Sequence, residues 1–112
     1  MNWLPLTTIA QLDGIQEESR LHPVVIFKHS TTCSISAMAK NRLEREAEPD
    51  GVPVYYLDLL AYRPISNAIA QQYGIKHESP QILIIHNGAC VYDESHNGVR
   101  MDELKEALAG IA

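Results

Sequence analysis

Apolar and polar positions change period several times along the chain, and each change marks an element. Ile9, Leu12 and Ile15 recur at helical spacing before the polar run 16–20, and Thr8 with Gln11 three positions on makes the capping-box pair that starts such a helix, although Gly14 weakens it. Pro23 opens Val24-Val25-Ile26-Phe27, β-branched and aromatic without alternation, which predicts a strand buried on both faces. After the polar turn His29-Ser30-Thr31-Thr32, the residues Ile35, Met38, Ala39, Leu43 and Ala47 predict the apolar face of a second helix, ended by Pro49 and Gly51. The stretch 53–60, rich in Val and Tyr, predicts a second strand. Pro64 suits the first turn of a third helix with Ile65, Ala68, Ile69 and Tyr73 on one stripe, and Gly74 is placed for a left-handed cap. Pro80 introduces a strand over 81–86, Asn87-Gly88 predicts a hairpin into the next strand, and Met101, Leu104, Leu108 and Ile111 give a closing amphipathic helix.

This order is α/β. Strands joined by a helix run parallel with a right-handed crossover, and the hairpin adds antiparallel pairs. The expected architecture is a thioredoxin fold: a mixed central sheet with parallel and antiparallel strands, flanked by helices. At 112 residues, one domain over 1–112 is the expectation. Composition, 46% hydrophobic and 21% charged, excludes the disordered and fibrous classes. A net charge of -5 argues against the basic patch that neutralises phosphates, so no nucleic-acid partner is expected. The first ten residues lack a positive leader region, and the apolar runs 24–27 and 82–85 are far too short to span a bilayer. No membrane partner and a cytoplasmic location follow as expectations.

Two cysteines so far apart, Cys33 and Cys90, make neither a disulfide framework nor a zinc pattern; in a reducing compartment they are free thiols. Cys33 falls between a buried strand and the start of a helix, where unpaired amides and the helix dipole favour the nucleophilic thiolate. A small buried filler is the alternative reading. The surrounding Ser30, Thr31, Thr32, Ser34 and Ser36 suit an exposed loop instead. A dithiol enzyme would place a second cysteine three positions on; that place holds Ser36, so the motif reads as monothiol and an external thiol is needed for release. Ser36 can donate a hydrogen bond to the Cys33 thiolate or serve as a plain first-turn serine. Cys90 follows the hairpin, a strand length of about 20 Å from Pro80, whereas a disulfide needs α-carbons within roughly 7 Å.

The Ser79-Pro80 bond is the candidate cis peptide, shaping a groove in which Ser79 backbone groups meet an extended substrate; a strand-initiating trans proline is the alternative. His29, His77 and His96 fall in connections at the same end, either beside the thiolate or as solvated loop residues. Lys28 and Lys40 are near enough in sequence to attract an anionic thiol, or are simply solvated. Too few ligands converge for a metal to be expected.

Thr32-Cys33-Ser34-Ile35-Ser36-Ala37, with His77-Glu78-Ser79-Pro80-Gln81, Asn87-Gly88, Ser95-His96 and the early Asn2-Trp3 through Leu6-Thr7, resembles the YtxJ-like family of monothiol bacilliredoxins over nearly the whole chain. The resemblance implies a thioredoxin-like fold, Cys33 as nucleophile, Pro80 as the groove proline, and Thr32, Ser34, Ser36, Ser79 and His96 as supporting residues. It implies an oxidoreductase with no bound cofactor that takes bacillithiol off S-bacillithiolated client proteins, with bacillithiol as co-substrate; the carboxylates of that thiol make Lys28 or Lys40 plausible contacts. The family usually carries proline after the cysteine; Ser34 departs from that and loosens the helix start. Two rivals remain: a glutathione-dependent monothiol glutaredoxin, whose cluster-binding class carries Gly and Phe in the motif, and a non-catalytic thioredoxin-like adaptor. Arsenate-reductase-like chemistry would want arginine where Ala39 stands.

Overall fold

Val24–His29 forms the middle strand of a five-stranded sheet in the computed structural model, which describes residues 1–111. In chain order the elements are β1 (Trp3–Pro5), α1 (Ala10–Glu18), β2 (Val24–His29), α2 (Ser34–Glu44), β3 (Val54–Asp58), α3 (Arg63–Tyr73), β4 (Gln81–His86), β5 (Ala89–Ser95), a single 3-10 turn (His96–Gly98) and α4 (Met101–Ala109). The sheet runs β1-β3-β2-β4-β5, with β3 parallel to both β1 and β2, and β4 antiparallel to β2 and β5. This is the mixed sheet expected from the sequence.

The unbroken apolar run of β2 reflects burial on both sides. Val24 and Ile26 join Leu57, Leu83 and Ile85 in a core under α1 and α3, with Leu12, Ile15, Ile65 and Ile69. Val25 and Phe27 join Ile82 and Ile84 in a second core under α2 and α4, with Ala39, Leu43, Met101 and Leu104. The capping box forms: Thr8 N–H donates to Gln11 Oε1 at 2.9 Å and Gln11 N–H to Thr8 Oγ1 at 3.3 Å. The hairpin turn has positive φ at Asn87 and Gly88, the signature of type I′. Gly74 caps α3 in the left-handed conformation.

Three expectations are corrected. Three-residue β1 was not foreseen; it is too short to show a period. Along α2 the buried residues are Ser36, Ala39 and Leu43, while Ile35 and Met38 are 50% and 61% exposed and Ala47 lies beyond the helix end, so the inward face is rotated from the apolar stripe. Ile9, half exposed, precedes α1 rather than packing beneath it. A fourth point bears on the site: β2 continues past Phe27 through Lys28 and His29, both buried.

Register brings two distant segments together. Lys28 pairs with Gln81 and His29 with Asp58, so the chain leaving β2 toward Cys33 and the chain entering β4 from Pro80 meet at one end of the sheet.

Candidate active site

Cys33 is the N-cap of α2, half-buried, with extended backbone (φ -101°, ψ 121°). Its N–H donates to the Ser30 carbonyl at 3.2 Å and its carbonyl accepts from Ala37 N–H at 3.0 Å. First-turn amides of a helix have no intrahelical partner, and no side chain caps them here. Cys33 is therefore the residue at the N-terminal, positive end of the α2 dipole. Among the described residues no side chain is hydrogen-bonded to the Cys33 sulfur. Thr32 and Ser34 flank it, both exposed, and the Thr32 hydroxyl lies 3.5 Å from that of Ser30.

Ser36 points elsewhere. Fully buried, its hydroxyl accepts from Ser30 N–H at 3.0 Å and lies 2.7 Å from His29 Nδ1. This corrects both readings of Ser36: it neither touches the sulfur nor idles in the first turn, but pins the loop that carries Cys33 onto the end of β2. His29, expected in a solvated loop or beside the thiolate, is a strand residue packed against the rings of Phe27 and Tyr56. Burial first, and then the charge of Lys40, push its pKa below the usual histidine value.

The segment 76–80 lies at the same end of the sheet as Cys33, since Lys28 pairs with Gln81. The Ser79-Pro80 bond is cis and Pro80 is buried. The Ser79 hydroxyl is buried without a partner, and the residue's N–H and carbonyl make no hydrogen bond among the described residues. From beneath, Lys28 Nζ lies 2.8 Å and Ser66 Oγ 3.3 Å from His77 Nδ1, while Gln81 Nε2 donates to the Lys76 carbonyl at 3.0 Å. From the side, His96 N–H donates to the Pro80 carbonyl at 3.0 Å, and the His96 ring reaches Glu78 at 3.7 Å. Arg42 in turn donates to the carbonyls of His96 and Val99 at 3.1 and 3.2 Å, strapping that turn to α2.

Neither lysine is free to meet an anionic thiol as expected. Lys28 is sealed, with 0% exposure, and burial pushes its pKa down to about 8 against the opposing charge of Glu78. Lys40 pairs with Glu44 at 3.0 Å and lies over the rings of Trp3 and Tyr56. The Lys28–His77 link and the Arg42 strap were missed at the sequence level. A lysine directly following four buried strand positions was the one available signal.

Cys90 pairs with Ile85, four positions along β4 from Gln81, which is about 13 Å at strand spacing. Its thiol donates to the Tyr92 carbonyl at 3.3 Å, and burial raises its pKa. No three His, Cys, Asp or Glu side chains converge as metal ligands among the described residues. No helix among them is long and apolar enough to cross a membrane.

The family model described as Monothiol bacilliredoxin BrxC matches residues 4–104. A solved structure described as a candidate oxidoreductase with a thioredoxin fold is 33% identical, covering 93% of this chain and 91% of its own, with a TM-score of 0.78. Thioredoxin from Trypanosoma brucei brucei superposes with the same TM-score at 15% identity, covering 98% of this chain and 90% of its own. Thioredoxin from Fasciola hepatica gives 0.70 at 21% identity, covering 94% and 95%. These last two likenesses are of fold.

Proposed function

This chain belongs to the monothiol bacilliredoxin family, and we propose that it frees client cysteines from bacillithiol by disulfide exchange at Cys33. Family and fold are those of thiol oxidoreductases. The observation that carries the finer reading is a half-buried cysteine at the N-cap of α2, with a sealed serine three positions on.

In the first step the Cys33 thiolate attacks the bacillithiol sulfur of the mixed disulfide. A new disulfide forms between Cys33 and bacillithiol, and the client leaves as a thiolate that takes a proton from water. Cys33 stands at the N-terminal end of α2, the helix end at which a group that carries negative charge during attack and release is generally best placed. Ser79, with N–H and carbonyl unpaired beside Pro80, offers an edge on which an extended client segment lies as an added strand. His96 fixes that edge through its N–H, and Thr32 and Ser34 line the approach.

In the second step, free bacillithiol attacks the bacillithiol sulfur of the adduct, giving bacillithiol disulfide and regenerating the Cys33 thiolate. An external thiol is needed because Ser36 carries no sulfur and Cys90 pairs with Ile85, about 13 Å along β4 from Gln81, whereas a disulfide needs α-carbons within roughly 7 Å. The pathway uses no bound cofactor. The reducing cytoplasm supplies the thiol pool it requires.

The test uses peptides bearing bacillithiol or glutathione mixed disulfides, with the adducts read by mass. Wild type should release the bacillithiol peptide and carry the adduct on Cys33; Cys33→Ser should release none, and Cys90→Ser should act as wild type. Turnover of the glutathione peptide alone would move the chain to the glutaredoxin reading. A Cys33 no more reactive than a free thiol would favour the adaptor.

A further inference from the structure

Three buried polar side chains from three different elements converge on the underside of the segment 76–80. Lys28 from β2, Ser66 from α3 and Gln81 from β4 are 0%, 1% and 1% exposed. The first two meet His77 Nδ1, and the third bonds the Lys76 carbonyl and accepts from Glu78 N–H at 3.4 Å. We infer that Lys28 is a positioning residue for exchange at Cys33: it holds His77, and through it the Ser79-Pro80 edge, at the place where the client backbone lies. The inference rests on the proposed function and adds the device that sets the edge.

A lysine here is costly. On the same face of β2, Val24 and Ile26 pack among aliphatic side chains, and a third apolar residue would extend that core without taking an ammonium out of water. An ammonium has donors only, so it donates a hydrogen bond to His77 Nδ1, which accepts as part of a neutral ring. Burial first and then the charge of Lys28 lower the His77 pKa, and the nearby Arg63 lowers it further. Burial lowers the Lys28 pKa to about 8, and the charge of Glu78 opposes that shift.

The segment depends on such side-chain anchors. It joins α3 to β4 with no hydrogen-bonded ladder of its own, and the Pro80 carbonyl contact to His96 secures its far end only. Releasing His77 frees the middle of the segment, two residues from Ser79, while leaving Cys33 and α2 in place.

The experiment measures kcat and KM for the peptide with a bacillithiol mixed disulfide, together with the rate at which iodoacetamide alkylates Cys33. His77 is exposed, so its variants test the link without opening the core. His77→Ala should raise KM by about tenfold or more, the scale of a misplaced binding group, with kcat and the alkylation rate near wild type. His77→Gln, which offers a carboxamide oxygen to the ammonium, should recover most of the loss. Lys28→Met should reproduce the KM rise while its urea midpoint is equal to or above that of wild type, since a buried charge has gone. A merely structural lysine would lose stability and activity together. Wild-type KM in His77→Ala, or a KM rise in Lys28→Met matched by lost stability, overturns the inference; if Lys28→Met does not fold, the two His77 variants decide. Activity surviving in Cys33→Ser would instead sink the proposed function itself. A dead Cys33→Ser beside an unaltered His77→Ala sinks only the positioning role.

Discussion

A single hydroxyl at position 36 separates this site from a dithiol one and also holds the site together. Ser36 Oγ accepts from Ser30 N–H and meets His29 Nδ1, all inside the protein. Removing one partner from a buried hydrogen bond leaves the other unsatisfied, the expensive way to lose the contact. Ser36→Ala should therefore cost about 1–3 kcal/mol in urea unfolding, more than an exposed serine such as Ser34 would. Ser34→Ala, at an exposed position with no side-chain cap to lose, should change stability by no more than about 0.5 kcal/mol. Equal effects at the two positions would contradict the assignment. Neither substitution touches the sulfur, so both proteins should still form the Cys33 adduct when folded.

Elements show what local sequence can and cannot reveal. The hairpin was legible because its requirement is local: two consecutive residues with positive φ, met by Asn87 and Gly88. Gly88→Ala should cost about 1–2 kcal/mol from the left-handed backbone alone, and an added methyl would also press on the Gln16 side chain, so the loss in thermal or urea unfolding should reach at least that range. Gly14→Ala, with open space at that position, should stabilise α1 by up to about 1 kcal/mol. The place of Cys33 at the start of α2 and the cis Ser79-Pro80 bond were legible for the same local reason, each marked by the residues beside it. The inward face of α2 was not, because Ile35 and Met38 are apolar yet turned to solvent beside Cys33, while a serine takes the buried place. Lys28 with His77 and Arg42 with His96 were hidden by distance: 49 and 54 residues separate the partners, and only the strand order brings them together. Nothing in the period of either segment marks such a pair.

At the scale of the molecule, one buried ammonium should make stability depend on pH between 8 and 10.5. Lys28 has a folded pKa of about 8 against 10.5 when exposed, because burial disfavours its charge more than Glu78 supports it. His77 beside it is neutral, Arg63 on α3 adds like charge near His77, and its register neighbours Leu57 and Gln81 carry none. Below pH 8 both folded and unfolded chains hold the proton, and the folded state bears the full burden of the buried charge. Between 8 and 10.5 the folded chain releases its proton first; the unfolded state then binds more protons, so this contribution to stability rises with pH. Tyr92, pushed up to about 12 by burial, and Cys90, Tyr55, Tyr56 and Tyr73, also raised by burial, work in the opposite sense at alkaline pH, holding protons more tightly when folded. Those groups are common to wild type and Lys28→Met, so the difference between the two isolates the lysine. Lys28→Met should be the more stable protein at neutral pH, and its advantage in urea midpoint should narrow steadily as pH climbs from 8 toward 10.5. A gap that stays constant across that range would assign the change to packing and leave no buried charge under the segment that faces Cys33.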